Sequence, residues 1–298
     1  PPPISTLFPY TTLFRSLTSS LLHCFGISSP HSGLIQLDRI LESKRKNTVL
    51  LILDGMGSDA LAGLLPSDAF LRRHKAADLS TVYPCTTTAA TTTLSTGLSP
   101  LEHGWLGWSP WFREFGRVVD IFIDRDSYSG AQITPSPAKL LLPYRDIAEQ
   151  LAEASRGELG IHRLMPSFAD DGCGSLRLML ERAREICRKD GPQLILAYWH
   201  EPDTLMHNEG PWSDAVRKEM IDINAMVESF FSQCRDLLLL VSADHGQIVV
   251  DREIYLDEIP ELNDCLILPP SLETRAVSLF VKAEKRDRSE ERRGGEEC

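Results

Sequence analysis

The stretch Thr48-Val-Leu-Leu-Ile-Leu53, followed by Asp54-Gly55, decides the fold that this sequence predicts. Its residues are apolar or β-branched throughout and lack the alternation of a strand with one solvated face. Such a run is typical of a strand that is buried on both faces, as in a parallel sheet. A carboxylate and a glycine follow the run, which predicts a turn at the carboxyl end of the strand.

Two further runs of the same kind occur later in the chain. Leu194–Trp199 leads into His200-Glu-Pro-Asp203, and Leu237–Val241 leads into Ser242-Ala-Asp-His-Gly246. Helical patterns lie between the runs. The clearest begins after a capping serine, Ser213, and has one apolar face at Val216, Met220, Ile223, Val227 and Phe230. Buried strands that alternate with helices predict an α/β fold, with a mostly parallel central sheet and helices on both faces.

The strand ends carry the residues of interest. In open parallel sheets the carboxyl ends of the strands form the ligand-binding edge, so Asp54, Asp203 and Asp244 should converge there. Each of the last two has a histidine nearby: His207 lies four residues after Asp203, on the same helical face, and His245 follows Asp244. One aspartate at a strand end is commonly a turn residue, whereas three with two histidines favour a metal site. Oxygen and nitrogen ligands suit zinc, with manganese as the second choice.

A threonine-rich stretch, Tyr83-Pro-Cys-Thr-Thr-Thr-Ala-Ala-Thr-Thr-Thr-Leu-Ser-Thr-Gly97, follows the first strand. Leu79–Tyr83 is predicted to be a short strand that Pro84 ends, and the small residues after it predict a helix that stops at Gly97. The first hydroxyls would then lie at a helix N-terminus, where free N–H groups and the helix dipole favour an anion or a hydroxyl nucleophile. Taken alone, the stretch fits equally well a helix whose hydroxyls bond to its own backbone.

Composition limits the possible partners. The 298 residues carry a formal charge of −11, which argues against binding of nucleic-acid polymers. No apolar run approaches the ~20 residues that span a bilayer, so no membrane partner is expected. The seven cysteines are scattered and form no CxxC pair, and no convincing signal peptide precedes them. We therefore expect reduced thiols in a cytoplasmic protein. The sequence does not indicate the oligomeric state.

Both ends of the chain look foreign to it. Residues 1–16 include Thr6–Ser16, which resembles translated sequencing-adapter DNA, and residues 288–298 resemble another peptide of that origin. We exclude both ends from the fold prediction. The expected folded domain is therefore residues 17–287.

Five motifs together resemble the type I phosphodiesterase/nucleotide pyrophosphatase family of the alkaline phosphatase superfamily. In order along the chain they are Asp54-Gly55, Tyr83–Thr88, Thr96–Gly104, Asp203–His207 and Ser242–Gly246. The resemblance covers about residues 47–246. It implies an alkaline phosphatase-like α/β sandwich around a mixed sheet, two divalent metal ions that are usually zinc, and a threonine nucleophile.

The resemblance also implies a role for each matching position. It assigns one metal ion to four residues, Asp54, Thr87, Asp244 and His245, and gives the other ion two ligands, Asp203 and His207. Thr87 is the implied nucleophile by its spacing from Pro84 and Thr96, with Thr86 and Thr88 as alternatives. The implied reaction is hydrolysis of phosphodiester or nucleotide pyrophosphate bonds through a phosphothreonine intermediate. The implied partner is a small phosphate ester or a nucleotide.

The sequence departs from the family pattern at two points. Family members carry a further metal-binding histidine downstream, but no histidine follows His245, and Ala90 stands where the family has an asparagine. We therefore expect a C-terminally truncated chain with an incomplete first metal site, which leaves an inactive metal-binding fragment as one alternative. A phosphomonoesterase, a phosphonate hydrolase or a sulfatase of the same superfamily are others. The sulfatase alternative is weak because Cys85 lacks the Cys-x-Pro-x-Arg context that formylglycine formation needs.

Overall fold

The computed structural model describes residues 12–287, and the side chains from Phe14 onward. This part of the chain divides into two compact units. The larger unit is formed by residues 12–103 together with Tyr144–Val249, and the smaller unit by Gly104–Pro143 together with residues 250–287. None of the described helices is both long and apolar enough to cross a membrane.

The strands of the described chain, in order, are β1 (Asn47–Leu53), β2 (Trp111–Phe112), β3 (Arg117–Asp120), β4 (Arg125–Asp126), β5 (Gly160–Leu164), β6 (Gln193–Trp199) and β7 (Leu237–Ser242). The helices are α1 (Thr12–Cys24), α2 (Ile35–Leu41), α3 (Ser58–Leu64), α4 (Phe70–Arg73), α5 (Thr87–Thr96), α6 (Pro100–His103), α7 (Pro137–Leu141), α8 (Ile147–Ser155), α9 (Leu176–Cys187), α10 (Asp203–Glu209), α11 (Asp214–Gln233) and α12 (Pro260–Asn263). Short 3-10 turns lie at Leu256–Glu258 and Ala283–Lys285.

The larger unit is built on a parallel sheet with the strand order β5-β6-β1-β7. Every residue of β1 is buried, as its uninterrupted apolar sequence predicts. Asn47 lies level with Gln193 and Leu237, the first residues of the neighbouring strands. Because three strands start in register and are of similar length, their carboxyl ends reach the same edge of the sheet.

Helices cover both faces of this sheet, which confirms the predicted fold class. Val49, Leu51 and Leu53 point to the face that carries α3, α4, α9 and α11. Leu50 and Ile52 point to the opposite face, with α1, α2, α5 and α8. The alternation follows from the two-residue period of a strand, so a run that is apolar throughout is covered on both sides.

Helix α11 shows how directly the pattern specifies a local structure. The Oγ atom of Ser213 accepts a hydrogen bond from the Val216 amide at 3.3 Å and caps the helix. All the apolar positions of the predicted face are buried: Val216, Met220, Ile223, Val227 and Phe230.

Two predictions about the larger unit differ from the structure. Residues 79–83 form no strand, because this segment pairs with none of the sheet strands; the Thr81 hydroxyl instead donates to the Asp244 carbonyl at 2.5 Å. Helix α1 begins at Thr12, and Phe14 is buried against the same core face as Leu50. Residues 14–16 thus pack as part of the fold, although we expected few contacts before Leu17. The other expected foreign segments, residues 1–11 and 288–298, lie outside the described residues.

The smaller unit contains an antiparallel sheet of β2, β3 and β4. Trp105 is buried against Phe122, with ring centroids 5.9 Å apart, and its indole N–H donates to the Leu142 carbonyl at 3.0 Å. The backbones of Ser109 and Leu272 pair, which joins the two segments of this unit.

Candidate active site

The first turn of the site follows β1. The Asp54 amide continues the sheet ladder by donating to the Trp199 carbonyl at 2.9 Å, and its buried side chain extends beyond the strand end. Gly55 has a φ of 72°, and a Cβ there would lie 2.9 Å from the Asp203 Cβ. Only glycine combines that backbone conformation with that close approach. The turn therefore brings the start of α10 against Asp54, whose carbonyl accepts the Asp203 amide at 3.1 Å.

The second turn follows β7 and packs directly on the first. Asp244 is fully buried, and its Oδ1 accepts the amides of Gly55 at 3.2 Å and His245 at 2.9 Å. The Cα of Gly246 would lie 2.7 Å from a Cβ at position 57, so the two turns touch through glycines. This close approach leaves no room for a Cβ at position 57.

Thr87 reaches the same place from a third direction. It is the first residue of α5, after Thr86 in an extended conformation, and Gly97 ends the helix with a φ of 75° as predicted. The Thr87 Oγ1 lies 3.4 Å from the Asp54 Oδ2 and 3.1 Å from the His245 Nε2. The hydroxyl therefore lies at a helix N-terminus, beside the carboxylate of one strand end and the imidazole of another.

The acidic and imidazole groups form a cluster of metal-ligand type. One ligand atom from each of Asp54, Asp203 and His245 lies within 4.8 Å of the other two. The His245 Nε2 is 3.6 Å from the Asp244 Oδ2, and the His207 Nε2 is 3.5 Å from the Asp203 Oδ2. The structure thus brings together all six residues chosen from the sequence, with His207 the most exposed at 69% of its side chain. Their roles as metal ligands and nucleophile stay predictions.

The electrostatics of the cluster are unfavourable for the charged carboxylates. Burial, together with the negative charges of Asp244 and Asp203, raises the pKa of Asp54 far above its usual range. Burial also raises the pKa of Asp244, although the amides of Gly55 and His245 oppose this shift. In the described part of the chain, the Asp54 Oδ1 and the Asp244 Oδ2 are buried without a hydrogen-bond partner. Buried anionic oxygens of this kind are stabilised by a bound cation.

Two side chains at the site were not found by sequence reasoning. The Tyr198 hydroxyl donates to the Asp54 Oδ2, and the Gln247 amide donates to the Asp203 Oδ1 and, at 3.2 Å, to the Asp203 carbonyl. For Tyr198, the only local signal in the sequence is a phenol within the otherwise apolar run Leu194–Trp199. Gln247 has no such signal, because only the fold brings it near Asp203.

Three residues near the motifs have structural roles. The Glu201 carboxylate accepts the Leu205 amide at 3.0 Å and so stabilises the first turn of α10. His103 supports α5, with its Nε2 at 3.1 Å from the Thr93 Oγ1, and burial lowers the pKa of His103 to about 4. Ala90 is fully buried in the core beneath α5.

The family described as type I phosphodiesterase / nucleotide pyrophosphatase has a model that matches residues 48–133 and 144–293. The chain belongs to this family. The match includes the six candidate residues and the turn before α5, and it confirms the resemblance seen in the motifs. The chain is accordingly a member of a family of hydrolases that act on phosphodiester and nucleotide pyrophosphate bonds. None of the curated proteins matches it.

Solved structures of this family share the fold. Murine ectonucleotide pyrophosphatase / phosphodiesterase 5 is 19% identical, with a TM-score of 0.61, over 84% of this chain and 70% of that one. An inactive threonine-to-alanine variant of the murine protein, in complex with AMP, gives a TM-score of 0.59 at 19% identity, over 82% and 68%. The human ectonucleotide pyrophosphatase / phosphodiesterase 5 gives a TM-score of 0.55 at 18% identity, over 82% of this chain and 68% of that one.

Proposed function

We propose that this chain hydrolyses phosphodiester or nucleotide pyrophosphate bonds, with Thr87 as the covalent nucleophile. The observation that carries the proposal is the position of the Thr87 hydroxyl, at 3.4 Å from the Asp54 Oδ2 and 3.1 Å from the His245 Nε2. This hydroxyl lies at the N-terminus of α5, where an anionic phosphoryl group is favoured.

The residues present fit divalent cations. Two buried carboxylate oxygens, on Asp54 and Asp244, have no hydrogen-bond partner in the described chain, and an imidazole nitrogen lies within 3.6 Å of each. We propose that Asp54, Asp244 and His245 hold one ion together with the Thr87 oxygen. The other ion would be held by Asp203 and His207. Carboxylate and imidazole ligands without thiolates suit zinc first and manganese second.

The bound ions would supply positive charge that lowers the pKa of the Thr87 hydroxyl and offsets the charge of the phosphoryl group. Thr87 forms the new bond from Oγ1 to phosphorus as the leaving alcohol or nucleotide oxygen departs on the opposite side. The free N–H groups of the first turn of α5 stabilise the negative oxygens of the transferred group. Water then attacks the phosphothreonine and restores the hydroxyl.

Support for a nucleotide substrate comes from the murine relative. Its threonine-to-alanine variant is described as inactive, and that variant is in complex with AMP. A threonine hydroxyl and a nucleoside monophosphate therefore matter in a protein of the same fold. We extend both features to this chain as part of the proposal.

The test is a panel of chromogenic phosphodiesters, phosphomonoesters and sulfate esters, assayed with zinc or manganese. We expect turnover of the diesters, loss of turnover on chelation, and recovery when the metal is restored. Faster turnover of monoesters or sulfate esters would replace the proposal with another activity of the superfamily. Metal binding without turnover of any ester would identify an inactive metal-binding fragment.

A further inference from the structure

Two cysteines meet at the amino end of the sheet, away from the candidate active site. Cys187 is the last residue of α9, and Cys234 follows directly after α11. The side-chain amide of Asn47 donates to the Cys187 carbonyl at 3.1 Å and to the Arg235 carbonyl at 3.4 Å. One amide at the start of β1 thus holds the ends of both helices together. Because β1 has seven residues, this place is roughly 20 Å from its carboxyl end.

The two side chains also contact each other. The thiols of Cys187 and Cys234 interact, since each shifts the pKa of the other, and neither is in a disulfide. A second contact between the helices lies beside them, where the Arg184 guanidinium donates to the Gln233 side-chain oxygen. The sulfur atoms are therefore already neighbours, held by helices whose ends are fixed by polar contacts.

We propose that Cys187 and Cys234 form a dithiol site that small-molecule disulfides such as oxidised glutathione convert to a disulfide between α9 and α11. The proposal does not depend on the hydrolase activity. A disulfide needs the sulfur atoms to approach to ~2 Å. Since the Asn47 amide already joins the helix ends at Cys187 and Arg235, the two thiols can meet this requirement by rotation of their side chains, without separating the helices.

The environments of the two thiols indicate the order of the steps. Cys234 is half-buried, and the positive charges of Arg184 and Arg188 counteract the burial that raises its pKa. Cys187 is 8% exposed, and burial raises its pKa to about 12. The Cys234 thiolate is thus the better nucleophile, and Cys187 is the resolving residue.

The exchange has two steps. The Cys234 thiolate attacks one sulfur of oxidised glutathione, forms a mixed disulfide and releases one glutathione thiolate. Cys187 loses its proton to solvent and attacks the Cys234 sulfur, which releases the second glutathione thiolate. The protein loses two protons and two electrons, and one glutathione disulfide is reduced to two thiols.

The test is incubation of the full chain with oxidised glutathione, followed by alkylation and a non-reducing tryptic map. We expect the four-residue peptide Glu185–Arg188 to be linked to the peptide that contains Cys234. Thermal unfolding of the oxidised protein should shift upward by a few degrees, because the cross-link constrains the unfolded chain. A stable glutathione adduct on Cys234 with Cys187 still alkylatable would overturn the proposal, as would two unmodified thiols.

Single substitutions distinguish the attacking thiol, Cys234, from the resolving thiol, Cys187. Cys187→Ser should leave Cys234 with a persistent glutathione adduct, and Cys234→Ser should leave Cys187 unmodified. The matched control is Cys24→Ser, since Cys24 is a half-buried thiol of comparable exposure whose Sγ contacts the Leu41 carbonyl at 3.9 Å. This variant should still form the cross-link. If Cys187→Ser does not fold, the tryptic maps of the wild type and of Cys234→Ser still decide the outcome.

Discussion

The two ends of β1 use the same sheet in opposite ways. At the amino end, the neutral side chain of Asn47 donates two hydrogen bonds to carbonyls and joins the ends of α9 and α11. At the carboxyl end, Asp54 lies in a cluster with two other carboxylates and has a buried oxygen without a hydrogen-bond partner in the described chain. One end stabilises the fold, whereas the other stores unfavourable charge that a cation would relieve. The comparison suggests that function lies where local stability is poorest.

The largest effect is expected from removal of the proposed nucleophile at the carboxyl end. Thr87→Ala should lower kcat for a phosphodiester by several powers of ten, because the remaining groups act as a unit with the nucleophile. The free energy of unfolding should fall by no more than ~1–2 kcal/mol, since little packing is lost. Steady-state kinetics and denaturant unfolding measure the two effects.

Neighbouring substitutions serve as controls for this choice of residue. Thr87→Ser should keep part of the activity because an attacking oxygen survives, and Thr86→Ala should lose less than Thr87→Ala. Near wild-type rates in Thr87→Ala, together with inactive Thr86→Ala or Thr88→Ala, would move the nucleophile to a neighbour. Activity in all three alanine variants would make water the attacking group.

A second prediction concerns the charge at the carboxyl end. Zinc at about 100 times its Kd should raise the free energy of unfolding by ~2.7 kcal/mol, as for a ligand that binds only the folded chain. Asp54→Asn should reduce this gain, because the variant loses a proposed ligand. The exposed Asp59 in α3 offers a control, and Asp59→Asn should respond to zinc like the wild type. An undiminished zinc shift in Asp54→Asn would exclude Asp54 as a ligand.

At the amino end of β1, a substitution should lower the stability of the fold without changing metal binding. Asn47→Ala removes two hydrogen bonds and should lower the free energy of unfolding by about 1 kcal/mol for each. Zinc affinity and kcat should stay unchanged, because the substitution lies at the other end of the strand. Denaturant unfolding and zinc titration of the same preparation measure both quantities. A loss of zinc affinity equal to that in Asp54→Asn would show that the two ends are not independent.

The smallest expected effect distinguishes two kinds of buried titratable group by the sign of their pH dependence. Burial lowers the pKa of His103 from 6.5 to about 4, so its neutral form contributes stability above pH 6.5 that is lost as the pH falls toward 4. The raised pKa values of Asp54 and Asp244 act in the opposite direction. Without metal, their contribution is present at low pH and is lost as the pH rises.

Two variants isolate these contributions in metal-free buffer. The pH dependence of unfolding in His103→Gln should be shallower than in the wild type between pH 4 and 6.5. Asp54→Asn should instead gain stability relative to the wild type as the pH rises through neutrality. A His103→Gln profile parallel to the wild type would show that His103 titrates alike in the folded and unfolded chains.

Much of the fold and of the cluster could be predicted because the signals are local. The run before Asp54 specifies a doubly buried strand, and the spacing of apolar residues in α11 specifies its buried face. Gly97 ends α5 because the left-handed conformation there strongly favours glycine. The expected strand at residues 79–83 is not formed, since apolar character does not reveal whether a pairing partner exists.

By itself, the sequence determined the doubly buried strands, the helix faces and the carboxylates at the strand ends, because each depends on residues adjacent in the chain. Tertiary structure alone decided the strand order, the core position of Phe14 and the meeting of Cys187 with Cys234. It also decided the contacts of Tyr198 with Asp54, across 144 positions, and of Gln247 with Asp203, across 44. The physical reason is that hydrophobic periodicity specifies which side of an element is buried, whereas side-chain partners depend on how separate elements pack.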